Sequence, residues 1–181
     1  MLNKLILIRH GETDWNRNRK YCGFSDIALN EKGLKEAKAL SLELKNEKID
    51  RLYASGLTRT MQTAEITFPG KEIKKISGLC EMNFGIFEGH SYEEIMQDSP
   101  EVYKNWMTDP LDFTIPDGES LNGFAQRVRE SLNEILMENK NKTAAIFTHA
   151  GPIRIILCDK KGIGLDQMWD IEVKTGEIYI L

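Results

Sequence analysis

The chain has few of the residues that staple a protein together or anchor it elsewhere. Three cysteines, Cys22, Cys80 and Cys158, fit no disulfide framework and no zinc or redox spacing. They read as reduced thiols in a reducing compartment. Only three histidines are present, His10, His90 and His149, and none has the short spacing of a metal-ligand pair. No stretch approaches the ~20 apolar residues of a membrane span. The segment from Met1 to Thr13 has neither the apolar length nor the cleavage site of a signal peptide. The expected location is therefore the cytoplasm, with no membrane partner. Excess positive charge is missing as well. Lys and Arg number 24 against 28 Asp and Glu, a net charge of −4. Nothing in that average draws nucleic acid, so a site for an anion has to come from local cations. There is no repeat, linker or low-complexity segment.

What the chain does have is enough ordinary material for one domain. Its 181 residues are 41% hydrophobic and 29% charged, and residues 1–181 are read as a single unit with a sizeable core. Leu5-Ile6-Leu7-Ile8 is a short apolar run that Gly11 ends, as expected of a buried strand. It delivers Arg9 and His10 to a loop. Asn30 is read as the N-cap of a helix whose apolar face is Leu34, Ala37, Leu40 and Leu44. Arg51 to Ala54 reads as a strand, with Ser55 capping a helix from about Leu57 to Phe68 that stops before Pro69-Gly70. Ile73 to Ile76 reads as another short strand.

Gly85 and Gly89 bracket a loop, and two short helices follow, from Tyr92 and from Pro100. Ser120 caps the clearest helix, with Leu121, Phe124, Ala125, Val128, Leu132, Ile135 and Leu136 in one amphipathic stripe. Thr143 to Thr148 is a second buried strand and ends in His149-Ala150-Gly151. A helix from Pro152 to Lys160 is expected next, then two short strands between Met168 and Leu181. Strands alternating with helices predict an α/β fold with a largely parallel sheet. Ligands gather at the carboxyl ends of such strands, so both strand-end histidines can share one crevice.

Arg9-His10, Arg59 at the start of its helix, and His149 form a set of cations and imidazoles. Gathered at one point they would repel unless an anion neutralised them, and a guanidinium can bind two phosphate oxygens at once. This set points to a dianionic phosphate. Neutral His10 can act as a nucleophile if its other ring nitrogen is held, and the Gly11 carbonyl is the expected acceptor.

Five segments together resemble the histidine phosphatase superfamily, which contains the cofactor-dependent phosphoglycerate mutases. They are Leu7-Ile8-Arg9-His10-Gly11-Glu12-Thr13 with Trp15-Asn16; Ser55-Gly56-Leu57-Thr58-Arg59-Thr60-Met61-Gln62-Thr63-Ala64; Glu81-Met82-Asn83-Phe84-Gly85-Ile86-Phe87-Glu88-Gly89; Pro116-Asp117-Gly118-Glu119-Ser120; and Thr148-His149-Ala150-Gly151-Pro152-Ile153-Arg154. Asp26-Ile27-Ala28-Leu29-Asn30-Glu31-Lys32-Gly33 is similar to the family's segment before its first helix. The resemblance implies a three-layer sandwich with a mostly parallel central sheet and helices on both faces. It implies that His10 attacks phosphorus and becomes phosphohistidine. Arg9, Arg59 and His149 would hold the phosphate oxygens, with Asn16 adding a hydrogen bond, and Glu81 would act as general acid and then base. It implies no metal and no cofactor. Cys22, Gly23 and Ala150 are the further expected substrate contacts, although the family more often has a polar residue at the position of Cys22. Glu12 is expected to order its loop.

Mutases of this family usually carry an arginine directly after the glutamate and an arginine pair in the central region. Met82 follows Glu81 here and that pair is missing, so hydrolysis is expected. The compact length and the Pro116–Ser120 motif resemble small members that act on alpha-ribazole 5′-phosphate late in cobalamin nucleotide-loop assembly. The alternatives are a broad-specificity sugar-phosphate phosphatase, a phosphoglycerate mutase, and a phosphate-binding module without turnover. The expected partner is a small phosphomonoester, and monomer and homodimer both stay open.

Overall fold

A computed structural model describes residues 2–181. The chain first forms β1 (Lys4–Arg9), α1 (Asp14–Arg17), α2 (Glu31–Glu43), β2 (Arg51–Ala54), α3 (Thr58–Thr67) and β3 (Lys74–Lys75). Then come α4 (Tyr92–Asp98), α5 (Pro100–Thr108), α6 (Leu121–Glu138), β4 (Thr143–Thr148), α7 (Ala150–Lys161) and β5 (Ile178–Ile180). The strands make one five-stranded sheet in the order β3-β2-β4-β1-β5. Only β5 runs antiparallel, along the outer edge of β1. No helix among the described residues is long and apolar enough to cross a membrane.

Successive side chains of a strand point to opposite faces, and the two central strands use both. Leu5 and Leu7 of β1 join Ala144 and Ile146 of β4 in one core with α6 and α7. Ile6 and Ile8 join Ala145 and Phe147 in a second core with α2 and α3. The layers are therefore helix, sheet, helix, and the apolar runs of β1 and β4 are buried on both sides. The α6 stripe buries Leu121, Phe124, Val128 and Ile135 almost completely, each worth about 1.5–3 kcal/mol relative to exposure. β1 and β4 pair in parallel, Leu5 opposite Ala144 and Arg9 opposite Thr148. That register brings the residues after both strands, His10 and His149, to the same end of the sheet.

Several local expectations are corrected. Leu34 is 38% exposed and leaves the apolar face of α2. Gly33 is buried in its place, because the first turn of α2 lies against the backbone of Gly11 and Glu12. A Cβ on Gly33 would stand 2.1 Å from the Glu12 carbonyl oxygen, and one on Gly11 would stand 2.5 Å from that of Gly33. Two glycines thus permit a close approach that no side chain would fit. Ser55 does not cap α3; the N-cap is Leu57, without a side-chain hydrogen bond. The helix after His149 starts at Ala150, with His149 at its N-cap and Pro152 still in the first turn. Near the C-terminus, Leu165–Asp170 is a 3-10 helix and only Ile178–Ile180 is a strand. Met168 is fully buried against the α6–α7 core, a tertiary demand that local pattern does not carry. Within the Gly11–Leu29 loop, Thr13 and Asn16 form a capping box that makes α1.

Candidate active site

His10 and His149 meet because β1 and β4 end together. The His10 N–H donates to the Thr148 carbonyl at 3.0 Å, which continues the strand ladder by one residue. The two imidazoles lie edge to face with ring centroids 5.1 Å apart. His10 is 3% exposed, and its Nδ1 is 2.7 Å from the Gly11 carbonyl oxygen. A carbonyl only accepts, so Nδ1 carries the proton and Nε2 keeps its lone pair. Burial, then the Arg59 and Arg9 guanidiniums, push the His10 pKa well below the usual histidine value. The neutral ring is the form with a nucleophilic nitrogen.

Behind these rings lies a fully buried polar cluster. Arg59, in the first turn of α3, donates from Nε to Nδ1 of His149 at 3.2 Å. Its Nη1 and Nη2 donate to the carbonyls of Ser25 and Gly23 at 2.8 and 2.6 Å. Nε2 of His149 is 2.8 Å from Oγ of Ser55. Burial first, then the Arg59 charge, lower the His149 pKa well below its usual value. Arg9 donates from Nη1 to the Val173 carbonyl at 2.6 Å, while its buried Nε has no partner among the described residues. Burial lowers the Arg9 pKa, and the Glu81 carboxylate opposes that shift.

Glu81 comes from a segment without strand or long helix. Its Oε2 accepts from the Gly151 N–H at 3.0 Å, in the first turn of α7, and its Oε1 from the Met82 N–H at 3.0 Å. A free helix N–H and the positive end of the helix dipole suit a carboxylate. A Cβ at Gly151 would lie 2.0 Å from Oε1, so the glycine gives Glu81 its place. Arg127 of α6 holds the same segment from behind. It donates to the carbonyls of Gly78, Cys80 and Glu81 and pairs with Glu119.

A cavity of about 870 Å³ opens in front of His10. Of the residues expected from sequence, Arg9, His10, Asn16, Cys22, Glu81 and Ala150 line it. Arg59 and His149 sit behind that wall. Gly23 turns inward, with its carbonyl on Arg59 and its N–H on Glu88. Asn16 spends its Oδ1 on the N–H and hydroxyl of Thr13. Burial pushes the Cys22 thiol up to about 11, so it meets the cavity as a neutral thiol. Glu12 accepts from Asn30 and Lys32, which ties its loop to α2 as expected. Among the described residues no three His, Cys, Asp or Glu side chains converge to hold a metal ion.

Sequence reasoning missed part of the wall. Arg154 lines the cavity from α7, one turn beyond Ala150, with Nε on the Ile171 carbonyl at 2.8 Å and its guanidinium over Trp169. It lies at i+4 from Ala150, inside a segment already singled out, so helical spacing could have found it. Arg19 and residues 172–175 also line the cavity, and no local pattern marks them. Among the described residues Arg9, Arg19 and Arg154 have no carboxylate at ion-pair distance, unlike Lys32 and Lys174 on the same wall. Glu88 ties together two loops beside the cavity. Its two oxygens accept from the N–H groups of Gly23, Phe24, Ser25 and Phe84.

Known proteins resemble this chain over nearly its whole length. Phosphoserine phosphatase 1 of Hydrogenobacter thermophilus is 36% identical over 168 residues, covering 92% of this chain and 80% of that one. The crystal structure of the alpha-ribazole phosphatase from Shigella flexneri matches with a TM-score of 0.90 at 28% identity, covering 98% of this chain and 89% of that one. A phosphoserine phosphatase from Entamoeba histolytica, in complex with 3-phosphoglyceric acid, matches with a TM-score of 0.86 at 29% identity, covering 98% and 89%. The model of the histidine phosphatase superfamily, branch 1, matches residues 5–181. With nearly its whole length matched, the chain belongs to the histidine phosphatase superfamily.

Proposed function

We propose that the protein hydrolyses small phosphomonoesters through a phosphohistidine on His10, without a metal. One observation carries this reading. A neutral imidazole with its Nδ1 tethered faces a cavity whose Arg9, Arg19 and Arg154 lack carboxylate partners. A fixed cation such as Arg9, the neighbour of His10, stabilises charge on the equatorial oxygens of a transferring phosphoryl group. In the first step the Nε2 lone pair forms an N–P bond as the ester P–O bond breaks. Glu81 gives its proton to the departing oxygen. In the second step the Glu81 carboxylate takes a proton from water, the water oxygen bonds to phosphorus, and the P–N bond breaks. Inorganic phosphate leaves and His10 is neutral again. Arg9 and Asn16 reach the phosphate from the cavity wall. Arg59 and His149 act from behind it, through the N–H groups of Arg59 that the protein leaves free. Cys22 and Ala150 border the leaving group.

The phosphatases named above carry two substrate names, and the wall speaks to both. Arg154, unpaired, favours a leaving alcohol that bears a carboxylate, as in O-phosphoserine. A second reading, alpha-ribazole 5′-phosphate, is favoured by the aromatic rings of Tyr21, Phe84 and Tyr92 on the same wall, against which a flat base can stack. The test is phosphate release from p-nitrophenyl phosphate with a chelator present, for the wild type and His10→Ala. The variant is expected to lose at least about 10³-fold in kcat. Undiminished turnover by the variant would refute the mechanism. The ratio of kcat/KM for O-phosphoserine and alpha-ribazole 5′-phosphate then ranks the two substrates.

A further inference from the structure

Ser55 stands directly after β2, 3% exposed, and does not cap the helix that follows. Its hydroxyl sits within a run of hydrogen bonds whose direction can be worked out from one end. Thr60 donates its only hydroxyl proton to the Leu57 carbonyl at 2.8 Å, and a carbonyl cannot donate in return. The contact between Ser55 and Thr60 at 2.9 Å must then use the Ser55 proton. With that proton spent, Ser55 can only accept from His149, so Nε2 of His149 carries the hydrogen. The other end agrees. Nδ1 of His149 faces the Nε–H of Arg59 at 3.2 Å, which requires a bare lone pair there. The reverse tautomer would set two N–H groups against each other at Arg59 and leave Nε2 and the Ser55 oxygen without a proton between them. His149, Arg59 and Thr60 are all 0% exposed, so no water is at hand to repair such a mismatch.

We propose that Ser55 is a positioning residue for catalysis: with Thr60 behind it, it locks His149 as the Nε2–H tautomer and so aims the Arg59 guanidinium. Arg59 has five N–H groups in a rigid fork. Nε is set by His149, while Nη1 and Nη2 are set by carbonyls of the 23–25 loop. The remaining N–H groups are then directed with no freedom to rotate, and that pre-organisation is what a phosphoryl transition state exploits. The inference rests on the phosphoryl-transfer reading for its catalytic consequence, but not for the tautomer itself.

The test has two arms. Long-range proton–nitrogen NMR of the wild type, with 15N-labelled histidine, is expected to show His149 with Nε2 protonated and Nδ1 unprotonated. The opposite tautomer, or a doubly protonated ring at neutral pH, would overturn the proposal whatever the activity. In the second arm, Ser55→Ala is expected to lower kcat on p-nitrophenyl phosphate by about tenfold to a hundredfold, the cost of a small misplacement of catalytic groups. KM should change far less, and the His149 nitrogen signals should shift toward a tautomer mixture. Thr60→Val keeps the shape and frees the Ser55 proton to point at His149, so the same spectral change should appear in weaker form. Ser55→Thr restores the hydroxyl and should recover most of the rate. Unchanged tautomer and unchanged kcat in both Ser55→Ala and Thr60→Val would refute the role. Failure of the parent mechanism would show separately, as turnover by His10→Ala.

Discussion

On the proposed reaction the site has a phosphoryl half and a leaving-group half, and the two are held by different means. The phosphoryl half, with His10, His149 and Arg59, stands on the ends of β1 and β4 and on the first turn of α3. Its side chains are buried, and the sheet ladder sets its backbone. The leaving-group half, with Glu81, Cys22, Phe84 and residues 172–175, has almost no regular structure. There, charged side chains replace the ladder. The Glu88 carboxylate gathers four N–H groups from two loops, and Arg127 gathers three carbonyls and a carboxylate. A ladder spreads its cohesion over many bonds, whereas a clasp concentrates it in one residue. The leaving-group half should therefore be the part that single substitutions can change without touching the chemistry at phosphorus.

Arg127→Met should give the largest effect and the sharpest break between the halves. It leaves the Gly78, Cys80 and Glu81 carbonyls and the Glu119 carboxylate without their partner. A loss of about 3–5 kcal/mol is expected from breaking a largely buried pair, read by denaturant unfolding. In the folded fraction kcat should fall because Glu81 moves, while the inhibition constant of inorganic phosphate should hold. A clear weakening of phosphate binding would mean that the halves are not separate. Glu88→Gln should cost less, about 1–3 kcal/mol, because one acceptor oxygen remains. Its consequences should cross the boundary. The 23–25 loop that Glu88 holds also supplies the Gly23 and Ser25 carbonyls that anchor Arg59. Phosphate inhibition should weaken here, together with a rise in KM. If phosphate binding were unaffected, the loop would not be the joint between the halves.

The smallest effect per step comes from pH and belongs to the phosphoryl half alone. His10 and His149 are buried and neutral, with pKa values pushed well below 6.5. Below about pH 6.5 the unfolded chain takes up protons that the folded chain does not. Stability should therefore fall with acidification by up to about 1.4 kcal/mol per pH unit for each histidine, until the folded values are reached. Replacing His10 by Ala should remove one histidine's share of the slope, measured as unfolding free energy between pH 6.5 and 5. An unchanged slope would mean that His10 does not stay neutral in the fold.

The two halves also differed in how far they could be read from sequence. Strand-end histidines were legible because short continuous apolar runs announce strands buried on both faces, and a parallel sheet sends its strand ends to one place. The Gly11 carbonyl was legible as the acceptor for His10 because it is the adjacent residue. Ser55 was misread as a helix cap. Its partner, His149, lies 94 residues away, and a serine before a helix looks the same whether or not its hydroxyl is taken. Arg127 carried no signal, because the carbonyls it holds lie 46 to 49 residues away in the chain. Leu34 was put in the core by helical spacing, which has no knowledge of how closely Gly33 approaches the Gly11–Glu12 backbone. Residues 172–175 carried no signal at all, since their place on the cavity wall follows from β5 returning along the edge of β1.

By itself the sequence determined the α/β layering, the two buried strands and the cation-and-imidazole set of Arg9, His10, Arg59 and His149 that suits an anion. Those follow from local hydrophobic periodicity and from the chemistry of single side chains. Only the tertiary structure decided which groups stand behind the reactive imidazole, which tautomer His149 adopts, and what clasps the leaving-group loops. Each of those rests on hydrogen bonds between residues far apart in the chain, and their direction is set only when both partners are buried together.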